Sequence, residues 1–502
     1  MAKFYITTPI FYVNDKPHVG HAYTVIVADV LARYHRMRGD EVFYLTGTDE
    51  HGVKIQEIAE KQGKQPKELA DGISAKFRLA WDTLNISNDG FMRTTDAHHE
   101  DAVRYALSEM YKQEWIYKGS YEALYCVGCE QYKMKSELVE GKCTDHNREP
   151  EVHSEEAYLF KLSHFAPEIL KRIKSEKIKI LPVTRHNEMV SFLELEGLND
   201  IAISRRKEKV AWGIELPFDP NHTTYVWVDA FLNYITGLGW PKDKTRMEKF
   251  WPANVQLMSK DILRVHATIW QAILLALGLE TSQTLFIHGF FTVDGQKMSK
   301  SLGNVVDPME IAQTYGADVL RYHLMREISF GSDGDFSLRR LEERHESDLA
   351  NGIGNLVARV LGMAEKYTGG KVPEITASVF SNVWDAYGSH FEKFQPDQAL
   401  SAVWGFITDV DKFIDTEQPW VLAKTDTERL NFDLYILLES LRHLGRLVWP
   451  FMPSTAEKIF TQLGLPDELK VGYDEGKKWG GLQPGTRVTK GEGLFPRLIP
   501  NP

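Results

Sequence analysis

Lys3-Phe4-Tyr5-Ile6-Thr7-Thr8, a loop punctuated by Pro9, Asn14, Asp15 and Pro17, a run from His18 to Arg38, and Glu41-Val42-Phe43-Tyr44-Leu45-Thr46 together decide the fold. The first six residues read as a buried strand, and the proline- and Asx-rich stretch as a loop. Val25, Val27, Val30, Leu31 and Tyr34 supply the apolar positions of a helix that Gly39-Asp40 ends, and a second strand follows. Strand, helix and strand in this order predict a parallel, doubly wound sheet in an α/β domain.

Working outward, the alternation breaks between about residues 116 and 220, where a cysteine-rich knuckle, short strands and a basic segment intervene as an insertion. It resumes with strands at 223–228, 255–258 and 285–288 and a helix over 261–277. A sheet split in this way leaves its ligand crevice at the carboxyl ends of strands from both halves. After about residue 337 no strand is expected. Ser337 begins a helical run, Ser454 and Glu457 form a capping-box pattern after Pro450 and Pro453, and Leu434, Leu437, Leu438, Leu441, Leu444 and Val448 keep a helical period. The expected division is a catalytic first half (1–115), an inserted connective domain (116–222), a catalytic second half (223–290), a loop and stem-contact region (291–345) and an all-α domain (346–502). Leu494 and Phe495 make the tail a candidate to dock back onto the body.

The 502 residues are enough for about three domains, and 26% charged against 43% hydrophobic side chains is ordinary globular composition. No apolar run approaches the roughly 20 residues of a membrane helix. The N-terminus lacks a secretory or transit pattern, so the expected location is the cytoplasm. A net charge of −11, from 59 basic and 70 acidic side chains, argues against indiscriminate nucleic-acid binding and against DNA as a partner. It leaves room for a nucleic acid held through local basic runs. The candidates are Lys171, Arg172, Lys174, Lys177 and Lys179, and Arg205, Arg206, Lys207 and Lys209; the alternative for each is a solvated face.

Three stretches carry chemistry. His18-Val19-Gly20-His21 opens a helix, whose unpaired N–H groups and dipole favour phosphate, and the two imidazoles fall on one side. Gly20 removes a side chain where a nucleotide approaches. Lys297-Met298-Ser299-Lys300-Ser301 follows a strand and a turn at Asp294-Gly295, and its lysines can set positive charge against a leaving pyrophosphate. Cys126-x2-Cys129-x13-Cys143-x2-His146 contains all three cysteines and offers four ligands for one tetrahedral Zn²⁺ with no open position, hence a structural ion. His153 is the alternative to His146.

The paired stretches around His18 and Lys297 resemble the class I aminoacyl-tRNA synthetases, whose catalytic domain is a Rossmann-like split sheet. The likeness narrows with Thr7-Thr8-Pro9-Ile10-Phe11-Tyr12-Val13-Asn14, Gly47-Thr48-Asp49-Glu50-His51-Gly52, Tyr225-Val226-Trp227-Val228-Asp229-Ala230, Ser259-Lys260-Asp261-Ile262 and Glu417-Gln418-Pro419-Trp420. In that order they resemble the methionyl-tRNA synthetase family. The resemblance implies methionine–tRNA ligase activity: Mg²⁺-ATP activates methionine, which passes to methionine tRNA, elongator and initiator alike. It implies catalytic His18, His21, Lys297 and Lys300, with Gly20, Met298, Ser299 and Ser301 completing the ATP site. It places Ile10, Tyr12, Asp49, Trp227, Ala230, Tyr234, Ile262 and His266 in a methionine pocket. Aromatic rings suit a polarisable thioether, Asp49 suits the ammonium, and His266 is expected to offer the sulfur a weak donor. Asn351, Asn355 and Arg359, on one helix face, and Trp420 are implied in an anticodon-binding domain, where splayed bases stack and hydrogen-bond.

Two rivals remain within reach of the residues. Another synthetase of the class is disfavoured, because the insertion is too small for a large editing domain and the closed knuckle leaves no vacancy for a substrate. A non-catalytic tRNA-binding relative is disfavoured by intact stretches at both ends of the site. With no appended tRNA-binding barrel recognisable, a monomer is expected.

Overall fold

The computed structural model describes residues 2–129, 131–133, 138–298, 303–375 and 383–498 and, within them, all side chains but those of 121–123, 131–132, 153–155 and 297. In β1 (Lys3–Thr7), Phe4 and Ile6 enter one apolar cluster and Tyr5 another, as the two-residue period of a strand requires. β1 lies inside a seven-stranded sheet with β2 (Phe11–Tyr12), β3 (Glu41–Asp49), β4 (Gly90–Arg93), β5 (Lys179–Leu181), β6 (Val255–Ser259) and β7 (Thr284–His288). The order is β5-β7-β6-β1-β3-β2, with β4 also on β3, and every pairing is parallel. The expected split sheet is thus observed, with its crevice beside the carboxyl ends of β1 and β6.

Two expectations for the insertion are corrected. The span 116–222 is not continuous, because β5 lies within it yet registers on Thr284, Leu285 and Phe286 as the edge strand of the main sheet. The expected strand at 223–228 is instead the end of an antiparallel strand, Asp219–Thr224, followed by a helix from Val226. Tyr225-Val226-Trp227-Val228 is rich in β-formers, but it leads into a helix buried on nearly every side, where no amphipathic period shows. The remainder is mostly antiparallel: Ile116–Cys126 pairs with Glu151–Phe160 and carries the knuckle at its tip. The two basic runs are largely neutralised. Arg172 pairs with Glu168, Lys174 with Glu194, Lys177 with Glu280, Lys207 with Glu215 and Arg206 with Glu208.

α1 (Val19–Met37) packs on one face of the sheet, while α2 (Ala97–Lys112) and α3 (Val226–Thr236) cover the other. The expected 261–277 helix is broken in character: His266–Trp270 forms a π-helical turn, a device common at functional sites. α4 (Ala317–Glu327) carries Arg321, which donates to Asp29 of α1 at 2.7 Å and to the carbonyls of Phe451 and Pro450. Burial alone would raise the Asp29 pKa. The Arg321 and Arg33 guanidiniums overcome that and hold the carboxyl below its usual range. This buried hub fastens the helix that begins at His18 to the C-terminal helices.

Beyond Phe336 the described residues form helices and one isolated bridge, Lys371 to Arg487. These helices include α5 (Asn355–Thr368), α6 (Pro396–Glu417), α7 (Pro419–Thr425) and α8 (Thr427–Val448). The expected capping box at Ser454 is not formed. Proline at the first helical position, Pro453, starts that helix two residues earlier than the box would, and no side chain caps it. The tail does dock: Leu494 is buried, and the Leu498 N–H donates to Glu346 Oε1 at 2.6 Å. No described helix is long and apolar enough to cross a membrane.

Candidate active site and metal centre

His18 is the N-cap of α1. Its Nδ1 accepts the Gly20 N–H at 3.1 Å, while His21 Nδ1 accepts the His18 N–H at 3.3 Å, so the two histidines form a reciprocal capping box. The rings stack at 3.6 Å. A Cβ on residue 20 would stand 3.0 Å from the His18 ring, so Gly20 gives that ring its place. Burial lowers the His18 pKa to about 4, against the pull of Asp15, and burial with the neighbouring His18 holds His21 well below the ordinary imidazole value. With each Nδ1 occupied as an acceptor, the proton of each neutral ring sits on Nε2. The turn therefore presents two neutral N–H donors at a helix N-terminus.

The chain around this turn is fixed from both halves of the sheet. Thr24 Oγ1 bonds His288 Nε2 at 2.9 Å at the end of β7, and the Val19 N–H donates to Val306 O at 3.0 Å. Lys16 pairs with Asp307 at 2.7 Å. Asp294 and Gly295 both adopt positive φ, the requirement of a tight hairpin turn, and this hairpin pairs Thr292 with Lys297. Met298 is half-buried against the core. The Lys297 side chain and Ser299, Lys300 and Ser301 lie outside the described residues.

The residues expected in the methionine pocket come from four segments. Phe11 and Tyr12 pair with Thr48 and Asp49, and the Val13 N–H closes the end of β3 on Asp49 O at 3.1 Å, so Ile10, Tyr12 and Asp49 share one rim. α3 contributes Trp227, Ala230 and Tyr234, and the helical segment after β6 contributes Ile262 and His266. His266 is buried; its Nδ1–H donates to Ile262 O at 2.8 Å and its Nε2 accepts from the Tyr234 hydroxyl at 2.7 Å. Burial brings its pKa down to about 4. The expectation of a weak donor to sulfur is therefore corrected, since both ring nitrogens are already engaged. The Trp227 Nε1 is a buried donor with no hydrogen-bond partner among the described residues. Sequence reasoning missed Phe231, fully buried between Trp227 (5.5 Å) and the His266 ring (4.9 Å). Its spacing of four from Trp227 on one helix was the available signal.

In the knuckle, Cys126, Cys129, Cys143 and His146 bring all four donor atoms within 4.8 Å of one another. The Cys129 and Cys143 sulfurs are 3.3 Å apart, far beyond the roughly 2.05 Å of a disulfide. Ligands about 2.3 Å from a tetrahedral Zn²⁺ stand roughly 3.5–3.8 Å from one another, which this spacing approaches. A Cβ at Gly128 would lie 2.5 Å from the His146 ring, so glycine is needed for that histidine to reach the sulfurs.

In the helical region, Asn351 lies in a π segment, His345–Gly354, that is kinked at Gly352, while Asn355 and Arg359 lie on α5. The simple spacing of four and eight on one straight face is corrected by that kink. Asn351 accepts from Arg497 at 3.4 Å, and Arg359 donates to Asp411 and Asp415 on α6, both at 3.1 Å. Trp420, just past the end of α6, is 44% exposed.

The family model described as "tRNA synthetases class I (M)" matches residues 4–148 and 133–361. The model "Anticodon binding domain of methionyl tRNA ligase" matches 368–501. A methionine–tRNA ligase of Caldanaerobacter subterraneus subsp. tengcongensis is 46% identical over 99% of this chain and 79% of its own length. One from Streptomyces coelicolor is 40% identical over 99% of this chain and 97% of its own. The structure of Mycobacterium tuberculosis methionyl-tRNA synthetase in complex with methionyl-adenylate superposes with a TM-score of 0.93 at 37% identity, covering 99% of this chain and 100% of that one.

Proposed function

The chain belongs to the methionine–tRNA ligase family of class I aminoacyl-tRNA synthetases, and on that premise we propose how its residues divide the reaction. The methionine carboxylate attacks the α-phosphorus of Mg²⁺-ATP, and pyrophosphate leaves methionyl-adenylate behind. The terminal ribose hydroxyl of methionine tRNA, elongator or initiator, then attacks the adenylate carbonyl and AMP departs. No side chain becomes covalently attached, so catalysis rests on positioning and electrostatics.

His18 and His21 donate their Nε2–H groups to phosphate oxygens beside the Gly20 backbone. Lys297 and Lys300 balance charge on the departing pyrophosphate, with Met298, Ser299 and Ser301 carrying the loop over ATP. Asp49 holds the ammonium. Ile10, Tyr12, Trp227, Ala230, Tyr234, Ile262 and His266 enclose the thioether, His266 as a packed neutral ring held by Tyr234. Asn351, Asn355, Arg359 and Trp420 read the anticodon. Cys126, Cys129, Cys143 and His146 hold one Zn²⁺ that folds the knuckle and takes no part in bond chemistry. The enzyme works as a cytoplasmic monomer.

The observation that carries this reading is the double-histidine capping box at the carboxyl end of β1, on the same sheet edge as Tyr12 and Asp49. Methionine-dependent ATP–pyrophosphate exchange tests it: exchange with methionine is expected, and none with any amino acid would sink it. Metal analysis should give about one zinc per chain. A metal-free enzyme of full stability and activity would remove the knuckle from the account.

A further inference from the structure

The groups proposed to recognise the amino acid sit on separate pieces of chain. Asp49 ends β3, whereas Trp227, Ala230 and Tyr234 lie on α3. A ligand read at both ends needs those pieces at a fixed distance. Asp229 lies between Trp227 and Ala230, is the acidic residue of the first turn of α3 and is almost completely enclosed. Both of its carboxylate oxygens are occupied. His51 Nδ1, two residues past the end of β3, lies 2.7 Å from Oδ2, and His99 Nε2, on α2, lies 2.9 Å from Oδ1. The far nitrogen of His99, Nδ1, bonds Thr236 Oγ1 at 2.8 Å at the last turn of α3. One carboxylate thus ties α3 at its first turn to the chain after β3, and His99 ties the same helix at its end.

We propose that His51, Asp229 and His99 form a positioning bridge that sets the distance between the ammonium-reading Asp49 and the thioether recess on α3. The inference rests on the methionine reading above, and none of the three residues contacts substrate in it. A carboxylate this buried is retained only with donors on both oxygens. Burial would raise the Asp229 pKa, but His51 and then His99 pull it down to about 2; burial would lower that of His51, but Asp229 raises it. Glu100, 3.9 Å from His51 Nε2, and Glu50 add to that rise. The Trp212 ring packs on the His51 ring at 5.2 Å, and its indole donates to Glu50 O, closing the bridge from solvent.

The test is steady-state exchange with Asp229→Asn, His51→Gln, His51→Asn and Thr236→Val, alongside melting temperatures. An asparagine at 51 places its amide nitrogen near the Nδ1 position, whereas glutamine reaches towards the Nε2 position. Asp229→Asn and His51→Gln are expected to raise the methionine KM about tenfold or more, with the ATP KM within about twofold, since a misplacement of about 1 Å costs on this scale. His51→Asn is expected to recover most of the loss. Thr236→Val, which removes a single hydroxyl at the periphery, remains folded and raises the methionine KM a few-fold. The proposal is overturned if folded variants keep a wild-type methionine KM. It is also overturned if His51→Asn and His51→Gln lose activity alike and only in proportion to melting temperature. A wild-type enzyme without methionine-dependent exchange would instead remove the reading on which the bridge rests.

Discussion

The recess on α3 and the helical surface around Trp420 are built on opposite principles. In and behind the recess, most polar groups are paired with one another and buried, the Trp227 indole N–H excepted: Tyr234 with His266, His266 with the Ile262 carbonyl, Asp229 with two imidazoles. On the helical surface, Arg359 is held by two carboxylates in reach of water and Trp420 stands 44% exposed. A small apolar ligand rewards a cavity fixed beforehand, because its binding energy is easily lost to reorganisation. A single-stranded loop of RNA brings its own planes and charges, so the protein can leave a ring and a guanidinium waiting at the surface. The contrast predicts large, pH-insensitive effects in the recess and modest, salt-sensitive ones on the helices.

The largest effect is expected at the phosphate end. His18→Ala and His18→Asn should each lower exchange kcat by about 10²–10³-fold, the loss typical for one preorganised donor. Only alanine should also destabilise the fold, by about 1 kcal/mol, because asparagine restores a capping acceptor. Equal stability of the two variants would show that the cap contributes nothing. Tyr234→Phe comes next. It strips the hydroxyl from His266 Nε2 and leaves a buried acceptor unpaired, at about 1–3 kcal/mol. The methionine KM should rise about tenfold by that figure. Because burial holds the pKa values of His18 and His266 at about 4, neither group titrates between pH 6 and 8. Their neutral, donor-ordered forms are complete throughout that window and are lost only as pH falls towards 4. Neither group should therefore give the wild-type methionine KM an inflection between about pH 6 and 8. His51, whose pKa Asp229 raises, is the imidazole that can titrate there, so an inflection that persists in His51→Asn would contradict the neutral assignment.

The same contrast explains what could be read from the residues alone. The capping histidines, the parallel strands of the first half and the Cys126–His146 knuckle are local patterns, and the structure brings each set together. β5 was invisible because three residues inside an insertion become a strand only by pairing with β7, about a hundred residues on. Trp227 and its neighbours were misread as a strand because a helix buried on all sides has no polar face to betray its period. The His51–Asp229 bond joins residues 178 apart, and neither partner is unusual by itself. On the helices, Asn351 was placed on a straight face because nothing local announces the kink at Gly352.

On the helical surface, Trp420→Ala should spare exchange while raising the tRNA KM about fivefold, the lower end of the 1–3 kcal/mol of one stacked base. Equal loss of both activities would mean misfolding. The smallest effect is expected for the double variant Asp411→Asn, Asp415→Asn, which releases Arg359 from both carboxylates. Half-exposed pairs of this kind contribute about 0.2–1 kcal/mol, so stability should hardly move. Freed of two negative neighbours, the guanidinium meets any phosphate more readily, and affinity for tRNA of other identities should rise about two- to fivefold at low salt. Affinity for methionine tRNA should change less, which narrows discrimination. A loss confined to methionine tRNA would reverse the assignment: the two aspartates would then be aiming Arg359 at a base, and this surface would be as preorganised as the recess it is set against.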